Sequence, residues 1–173
     1  MGWFENLSVK LRGLTQAQEY HVSEDVPTIG APVAGELVAQ KDIPDPVFAS
    51  GALGATIGIW PEDGTVFSPV SGTISQAMSH AVAIDADSGE ELLVHVGVDT
   101  VELSGKGFAL NFVRNDRVRA GDVLMTFDRQ RLREAGYPDI VMVTLSNSAD
   151  YSQVKTCAAG HVSLGEKIME PIR

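Results

Sequence analysis

From about residue 29 onward, short apolar runs alternate along the chain with turn residues. The runs read TIGIW, TVFSPV, GTISQAM, AVAID, LLVHVGV, VLMTF and DIVMVTLS. They are separated by dipeptides that favour tight turns, among them Asp63-Gly64, Ser71-Gly72, Ser88-Gly89 and Gly121-Asp122. Many short strands with turn signals between them predict an all-β fold, either a sandwich or a barrel.

One segment of this body has a helical pattern. Residues 128–136 read DRQRLREAG, in which Asp128 can cap a helix and Gly136 can end it. We therefore expect a short helix that decorates the sheets.

The amino-terminal part of the chain differs from the body. Residues 1–14 place five large apolar side chains on one helical stripe, which are Trp3, Phe4, Leu7, Leu11 and Leu14. This pattern predicts a short amphipathic helix. Residues 15–28 are polar and contain Pro27, which predicts a linker that leads into a folded body over residues 29–173.

Short words recur along the body. APVAGELV (31–38), SPVSGTIS (68–75) and CAAGHVSL (157–164) share a glycine two residues before an aliphatic residue. RVRAGDVL (117–124) and HVSLGEKI (161–168) both read Val-x-x-Gly-acidic-x-aliphatic, which suits a strand, a tight turn and a second strand. The repeated words predict an antiparallel β-sandwich with duplicated strand-turn units.

The composition restricts the functions that such a fold could have. A length of 173 residues suits one domain with a short extension, and the formal net charge of -10 opposes binding to nucleic acid. The lone Cys157 excludes an intrachain disulfide and a cysteine-based zinc site. The apolar stretch 47–60 is too short and too interrupted to span a membrane, and the chain starts without a signal-peptide pattern. We expect a cytoplasmic protein.

Among the four histidines, His95 lies inside an apolar strand pattern. Alternation along ELLVHVGVD places His95 and Gly97 with Leu93 on one face, opposite a wholly aliphatic face. His80 introduces the run HAVAID, so pairing of residues 80–85 with residues 92–98 would bring the two imidazoles together. The plain alternative for His95 is a structural histidine whose ring is satisfied by a carbonyl group.

Two neighbouring imidazoles leave three chemical interpretations open. They could be a phosphoryl acceptor with a stabilising partner, a zinc site, or an acid-base pair for hydrolysis. Zinc peptidases on related duplicated sandwiches use His-x-x-x-Asp together with His-x-His, and only the first word occurs here, from His95 to Asp99. Carrier domains that bear biotin or lipoate on a hairpin lysine are a further alternative, but no lysine here stands in such a hairpin.

LLVHVGVDTVELSGKGF (92–108) resembles the signature of glucose-type enzyme IIA of the bacterial phosphoenolpyruvate-dependent sugar phosphotransferase system. The resemblance extends in order over APVAGELV, DIPDPVFASGALG, SPVSGTI, SHAVAIDADSGEELLVHVG, RVRAGDVLMTFD and VTLSNSAD. The start MGWF is similar to that of free-standing members, in which a short helix precedes the domain.

This resemblance implies a phosphotransferase component that works through a phosphohistidine. His95 would accept a phosphoryl group from the histidine phosphocarrier HPr and pass it to a cysteine on enzyme IIB of a sugar permease. His80 matches the second active-site histidine, which stabilises the phosphoryl group, and Gly97 matches the residue whose carbonyl holds the first ring. This chain has Met78 where the family usually has a threonine that orients the second histidine.

The resemblance also implies docking positions. Asp45 and Asp99 match acidic positions that meet an arginine of HPr, while Val47 and Phe48 match part of an apolar ring around the site. Leu93 stands where the best-known members carry phenylalanine. The apolar stripe of residues 1–14 further predicts weak contact with the inner face of the membrane.

No cofactor and no intrinsic metal are implied by the resemblance. One complex of the family holds a zinc ion between the two active-site histidines and a carboxylate of the partner. For this chain, such an intermolecular site would be formed by His80 and His95.

Overall fold

The computed structural model describes residues 28–173. The predicted amphipathic helix over residues 1–14 and nearly all of the predicted linker over residues 15–28 lie outside these residues. The described strands are β1 Ile29–Gly30, β2 Gly35–Val38, β3 Ala55–Pro61, β4 Thr65–Phe67, β5 Gly72–Met78, β6 Ala81–Ala86, β7 Glu91–Val96, β8 Phe108–Leu110, β9 Arg117–Val118, β10 Val123–Phe127, β11 Val141–Leu145, β12 Gln153–Thr156, β13 Gly160–Val162 and β14 Lys167–Ile172. The α-helices are α1 Pro46–Ala49 and α2 Arg129–Glu134, and short 3-10 turns cover Gln40–Asp42, Thr100–Leu103 and Ser148–Asp150.

The strands form antiparallel sheets, which confirms the predicted fold class. The largest sheet has eight strands in the order β13-β2-β3-β11-β7-β6-β5-β9, and two three-stranded sheets have the orders β1-β14-β12 and β4-β10-β8. Val94 of β7, Met125 of β10 and Ile168 of β14 belong to one buried cluster, so side chains from all three sheets share a core. Burial of this apolar surface is the main favourable contribution to such a sandwich.

The repeated sequence words correspond to repeated backbone structure. The amide of Ala31 donates to the carbonyl of the acidic residue in the Gly165-Glu166 turn at 2.8 Å, and the glycine amide of that turn donates back to Ala31 at 2.9 Å. Ser68 and the Gly121-Asp122 turn form the same reciprocal pair at 2.7 and 2.9 Å. Correspondingly, β2 pairs with β13 and β5 pairs with β9. The third word, CAAGHVSL, contributes β13, which is the partner of the first word and not a further copy of it.

The predicted helix is present as α2, and its ends follow the predicted signals. Asp128 is the N-cap residue, and its Oδ1 accepts a hydrogen bond from the Arg131 amide at 3.0 Å. Gly136 follows the helix with a φ of +84°, a conformation that glycine adopts without strain. Leu132 anchors the helix to the core because its side chain is fully buried.

A second, smaller core lies on the opposite face of the large sheet. It contains five buried side chains, which are Ile43, Phe48, Val98, Ile140 and Met142. Two of them come from the segment between β2 and β3, which includes α1. The apolar pattern did not predict α1, which is a single turn with Asp45 as its N-cap and Pro46 in its first turn. The segment therefore packs beside His95, whose cross-strand neighbour on β11 is Met142.

Candidate active site

The structure brings His80 and His95 together, as the predicted strand pairing requires. β6 pairs with β7 with Ala81 opposite His95, and the Val96 amide donates to the His80 carbonyl at 2.8 Å. The centroids of the two imidazole rings are 4.9 Å apart, and the ring planes meet at 80°. One ring therefore presents its edge to the face of the other.

The strand face that carries His95 is the one that alternation predicts. Leu92, Val94 and Val96 are fully buried on the core side of β7, whereas His95 is half-buried on the other side. Phe48 of the smaller core packs against His95 with a centroid distance of 5.1 Å. His80 lies on the far side of the pair, where its ring centroid is 6.4 Å from that of Phe108.

Burial keeps both imidazoles neutral at pH 7. His80 is only 7% exposed, and burial lowers its pKa below the ordinary value of 6.5. Burial, followed by the repulsion that a protonated His80 would exert, lowers the pKa of His95 to about 4. The Gly97 backbone and the Asp45 carboxylate act in the opposite direction but are outweighed. A neutral imidazole retains one unprotonated nitrogen, which is the form that a nucleophile requires.

The two ring nitrogens of His95 differ in their surroundings. Nδ1 is buried and has no hydrogen-bond partner, and it is the one side-chain atom among the described residues in that condition. The Gly97 backbone lies close enough to raise the pKa of the ring, but it does not complete a hydrogen bond to Nδ1. A buried polar atom without a partner is costly, so a small movement that closes this gap would be favourable.

The turn after β7 is shaped by tertiary contacts. Gly97 has a φ of +79°, its amide donates to the Ile140 carbonyl at 2.7 Å, and the Val98 amide donates to the Pro138 carbonyl at 3.1 Å. A Cβ atom at position 97 would lie 2.3 Å from Cγ2 of Thr100 and 3.0 Å from the Pro138 carbonyl oxygen. Glycine is required here for both backbone conformation and space.

The candidate docking residues fall into exposed and buried members. Val47 is 51% exposed beside the site, whereas Phe48 is only 5% exposed and contacts His95 from within the protein. Leu93 is half-buried against the smaller core. Val47 therefore presents apolar surface to solvent, and Phe48 supports the His95 ring.

The two acidic candidates have different local roles. The Asp45 Oδ1 atom accepts hydrogen bonds from the amides of Val47 at 2.8 Å and Phe48 at 3.3 Å, which secures α1. Asp99 is exposed in the left-handed conformation, with a φ of +58°, and its side chain makes no capping hydrogen bond. The Asp99 carboxylate is therefore free of local cap bonds, whereas that of Asp45 is shared between α1 and the site.

Met78 does not orient His80 in the way that a hydroxyl group could. It lies at the end of β5 opposite Ala81, is 44% exposed, and carries a thioether, which has no proton to donate. His80 is held instead by its backbone bond to Val96 and by its packing against His95 and Phe108.

Several residues at the site had not been predicted from the sequence. Thr100 is buried, and its hydroxyl donates to the Val96 carbonyl, while Pro138 and Ile140 hold the Gly97 turn through their carbonyls. Phe108 covers one side of His80. Alternation along one strand does not identify these residues, because Thr100 acts within the turn after β7 and the contacts of Pro138, Ile140 and Phe108 join distant parts of the chain.

The remaining histidine in the described part of the chain, His161, lies elsewhere. It is exposed and its Nε2 is 2.8 Å from Oε1 of Glu62.

Residues 28–173 contain no group of three histidine, cysteine or carboxylate side chains that could hold a metal ion, so the zinc-hydrolase alternative has no support there. In the same range, no helix is long and apolar enough to cross a membrane. An intermolecular zinc ion at His80 and His95 stays a prediction.

Comparison with known proteins connects this geometry with a family. Residues 27–151 match the family model of the phosphoenolpyruvate-dependent sugar phosphotransferase system, EIIA 1. The chain is 36% identical over 141 residues to the glucose-specific EIIA component of Oceanobacillus iheyensis, which covers 80% of this chain and 86% of that protein. It is 38% identical over 148 residues to the mannose-specific EIIBCA component of Corynebacterium glutamicum, which covers 84% of this chain but only 22% of that larger protein.

A solved structure supports the same relationship. Glucose permease IIA from Mycoplasma capricolum superposes with a TM-score of 0.72 at 29% identity, covering 82% of this chain and 93% of that one. The chain therefore belongs to the EIIA 1 family of the phosphoenolpyruvate-dependent sugar phosphotransferase system and is a phosphoryl-carrying component of that system.

Proposed function

We propose that His95 is the phosphoryl acceptor of this chain and that HPr is its phosphoryl donor. The observation that carries the proposal is the environment of the His95 ring, in which Nδ1 is buried and a second imidazole lies 4.9 Å away. Nε2 is then the nitrogen that is left for a reactant. With a pKa of about 4, the ring is almost entirely neutral at pH 7 and can act as a nucleophile without first losing a proton.

The transfer step follows from this arrangement. The lone pair of His95 Nε2 forms a bond to phosphorus while the bond from phosphorus to the HPr histidine breaks, and the electron pair of that bond returns to the HPr imidazole. His80 is neutral because burial lowers its pKa, so it retains one N–H that can donate to a phosphoryl oxygen. Phosphoryl transfer requires chiefly such positioning and electrostatic stabilisation.

Docking of HPr would use the exposed surface around the imidazole pair. Val47 supplies exposed apolar surface, while Leu93 is half-buried against the smaller core and Phe48 supports the His95 ring. Asp45 and Asp99 offer carboxylates to a basic partner. The net charge of -10 favours electrostatic steering toward a positively charged surface.

Onward transfer would go to a cysteine of enzyme IIB. Relatives named EIIBCA, such as the mannose-specific component of Corynebacterium glutamicum, join A, B and C parts in one chain. In this chain the phosphoryl group would move from His95 to a IIB partner, and that sugar permease would determine which sugar is transported.

The proposal is tested by incubating the full chain with phosphoenolpyruvate, enzyme I and HPr, followed by intact-mass measurement. We expect one added phosphoryl group, stable in base and labile in acid, and lost entirely in His95→Ala. The control is His161→Ala, which removes the exposed histidine paired with Glu62 and should label normally. Label that persists in His95→Ala, or that maps to His80 or a serine, would overturn the assignment.

A further inference from the structure

A buried carboxylate lies behind the Gly97 turn. Asp139 is 3% exposed and accepts a hydrogen bond from Nε of Arg129 at 2.9 Å. A second guanidinium, that of Arg133, lies 3.1 Å from the same carboxylate oxygen. Arg129 also donates to the Glu62 carbonyl at 2.6 Å. A carboxylate this deeply buried is tolerated only when it is paired, because its desolvation penalty is large. These contacts therefore fix Asp139 relative to α2.

Asp139 is also the residue between the two carbonyls that hold the turn. On one side the Pro138 carbonyl accepts from the Val98 amide at 3.1 Å, and on the other the Ile140 carbonyl accepts from the Gly97 amide at 2.7 Å. The position of the Gly97 peptide is therefore set by residues on both sides of Asp139. Their position depends in turn on the ion pairs between the Asp139 carboxylate and α2.

The position of the Gly97 carbonyl affects which nitrogen of the His95 ring carries the proton. Nδ1 of His95 is buried without a partner, and the Gly97 backbone, two residues along the chain, acts to raise the pKa of the ring. If the Gly97 carbonyl accepts the Nδ1 proton, the Nε2 lone pair is directed outward. If the carbonyl moves away, the preference for this tautomer is lost, because the hydrogen bond of one ring nitrogen determines which nitrogen carries the proton.

We propose that Asp139 is a positioning residue for His95. Its ion pairs with α2 hold the Pro138–Ile140 segment, and this segment determines how closely the Gly97 carbonyl can approach Nδ1. The consequence for phosphoryl transfer rests on the proposed function of His95, whereas the effect on the tautomer does not.

The test compares Asp139→Asn and Asp139→Ala with Asp87→Ala. Asp87 is a matched control because it forms a bidentate pair with Arg117, with both contacts at 2.7 Å, on the exposed surface. Nitrogen-15 NMR of the histidine rings reports the tautomer. We expect the native chain and Asp87→Ala to show His95 with its proton on Nδ1, Asp139→Ala to show a mixture, and Asp139→Asn to lie between them.

Transfer kinetics give a second readout. At saturating phosphorylated HPr, the single-turnover rate should fall roughly ten- to a hundredfold in Asp139→Ala, since a misplacement of about 1 Å has effects of that size. The KM for HPr should not change, because the exposed docking residues are untouched. Asp139→Asn should lose less, since its amide oxygen can still accept from one arginine.

Ile168→Ala is the control that distinguishes a specific effect on His95 from general destabilisation. It creates a cavity in β14, which pairs with β1 and β12 and not with β7. All measurements are made at temperatures below the unfolding transition of every variant. If Asp139→Ala does not fold, the result for Asp139→Asn alone decides whether Asp139 positions His95. The proposal is overturned if the Asp139 variants keep the native tautomer and rate, or if Ile168→Ala shifts the His95 signals equally. A native chain that accepts no phosphoryl group would refute the proposed function, and the tautomer measurement would still decide the role of Asp139.

Discussion

The depressed pKa of His95 predicts a loss of stability on acidification. In the folded protein the pKa is about 4, because burial and His80 disfavour the charged ring, whereas the ordinary value is 6.5. Between these two values the unfolded chain binds a proton that the folded protein does not bind. The free energy of unfolding must therefore decrease as the pH falls through this interval.

The magnitude follows from the two pKa values. Between pH 7 and pH 5, the contribution of His95 to the free energy of unfolding should decrease by about 2 kcal/mol. The lowered pKa of His80 acts in the same direction. For a domain of this size, about 2 kcal/mol corresponds to a decrease in Tm of roughly 4–8 °C.

The assay is urea unfolding of the native chain and His95→Gln at pH 7 and pH 5. The variant should lose about 2 kcal/mol less than the native chain over this interval. His161→Gln is the control for the substitution of a histidine at an exposed position away from the site. His80→Gln/His95→Gln serves as the reference with neither imidazole, because the His95→Gln substitution also relieves the repulsion that His80 experiences. If His95→Gln and the native chain lose the same free energy with equal m-values, the argument from burial is wrong.

Three further predictions concern the site and the amino terminus. His80→Gln should still accept phosphate at a measurable rate, while the transfer rate of His80→Ala should decrease roughly a hundredfold, chiefly in the step to IIB. Quench-flow measurement of both half-reactions checks this prediction. Native rates in His80→Ala would exclude a paired-histidine mechanism. Gly97→Ala should lower the free energy of unfolding, measured in urea, by about 1–3 kcal/mol from backbone strain alone, and by more because of the clash with Thr100. Gly136→Ala is the control, because Gly136 also has a positive φ but a Cβ atom there would have nothing within 4 Å. An equal loss in both variants would show that the clash is unimportant. Deleting residues 1–14 should abolish weak binding to anionic vesicles in a sedimentation assay, and binding that persists would contradict the membrane prediction.

Local sequence patterns were sufficient for the more apolar strands, such as β5, β6, β7 and β11, and for the face on which His95 lies, whereas short strands such as β1, β8 and β12 carried no recognisable pattern. Alternation with a period of two places Leu93 and His95 on the same face of any regular strand, so this result needs no knowledge of distant residues. The alternation does not extend to Gly97, because β7 ends at Val96 and Gly97 lies in the following turn with a φ of +79°. The same holds for the Asp128 cap of α2, because a capping bond joins residues only three apart. The proximity of His80 to His95 was also predictable, since one hairpin turn connects their strands.

Only the tertiary structure decided the chemical environment of the pair. The burial of His95 Nδ1 depends on the packing of Phe48 and its neighbours against β7, and no pattern within β7 contains that information. Likewise, Asp139 appears in the sequence as a polar residue before an apolar strand, and its burial between two arginines becomes visible only when α2 is folded against β11. The alternation of side chains along a strand and the capping of a helix are local properties of a chain. Desolvation, and the pKa values that follow from it, depend on everything that surrounds a group in space.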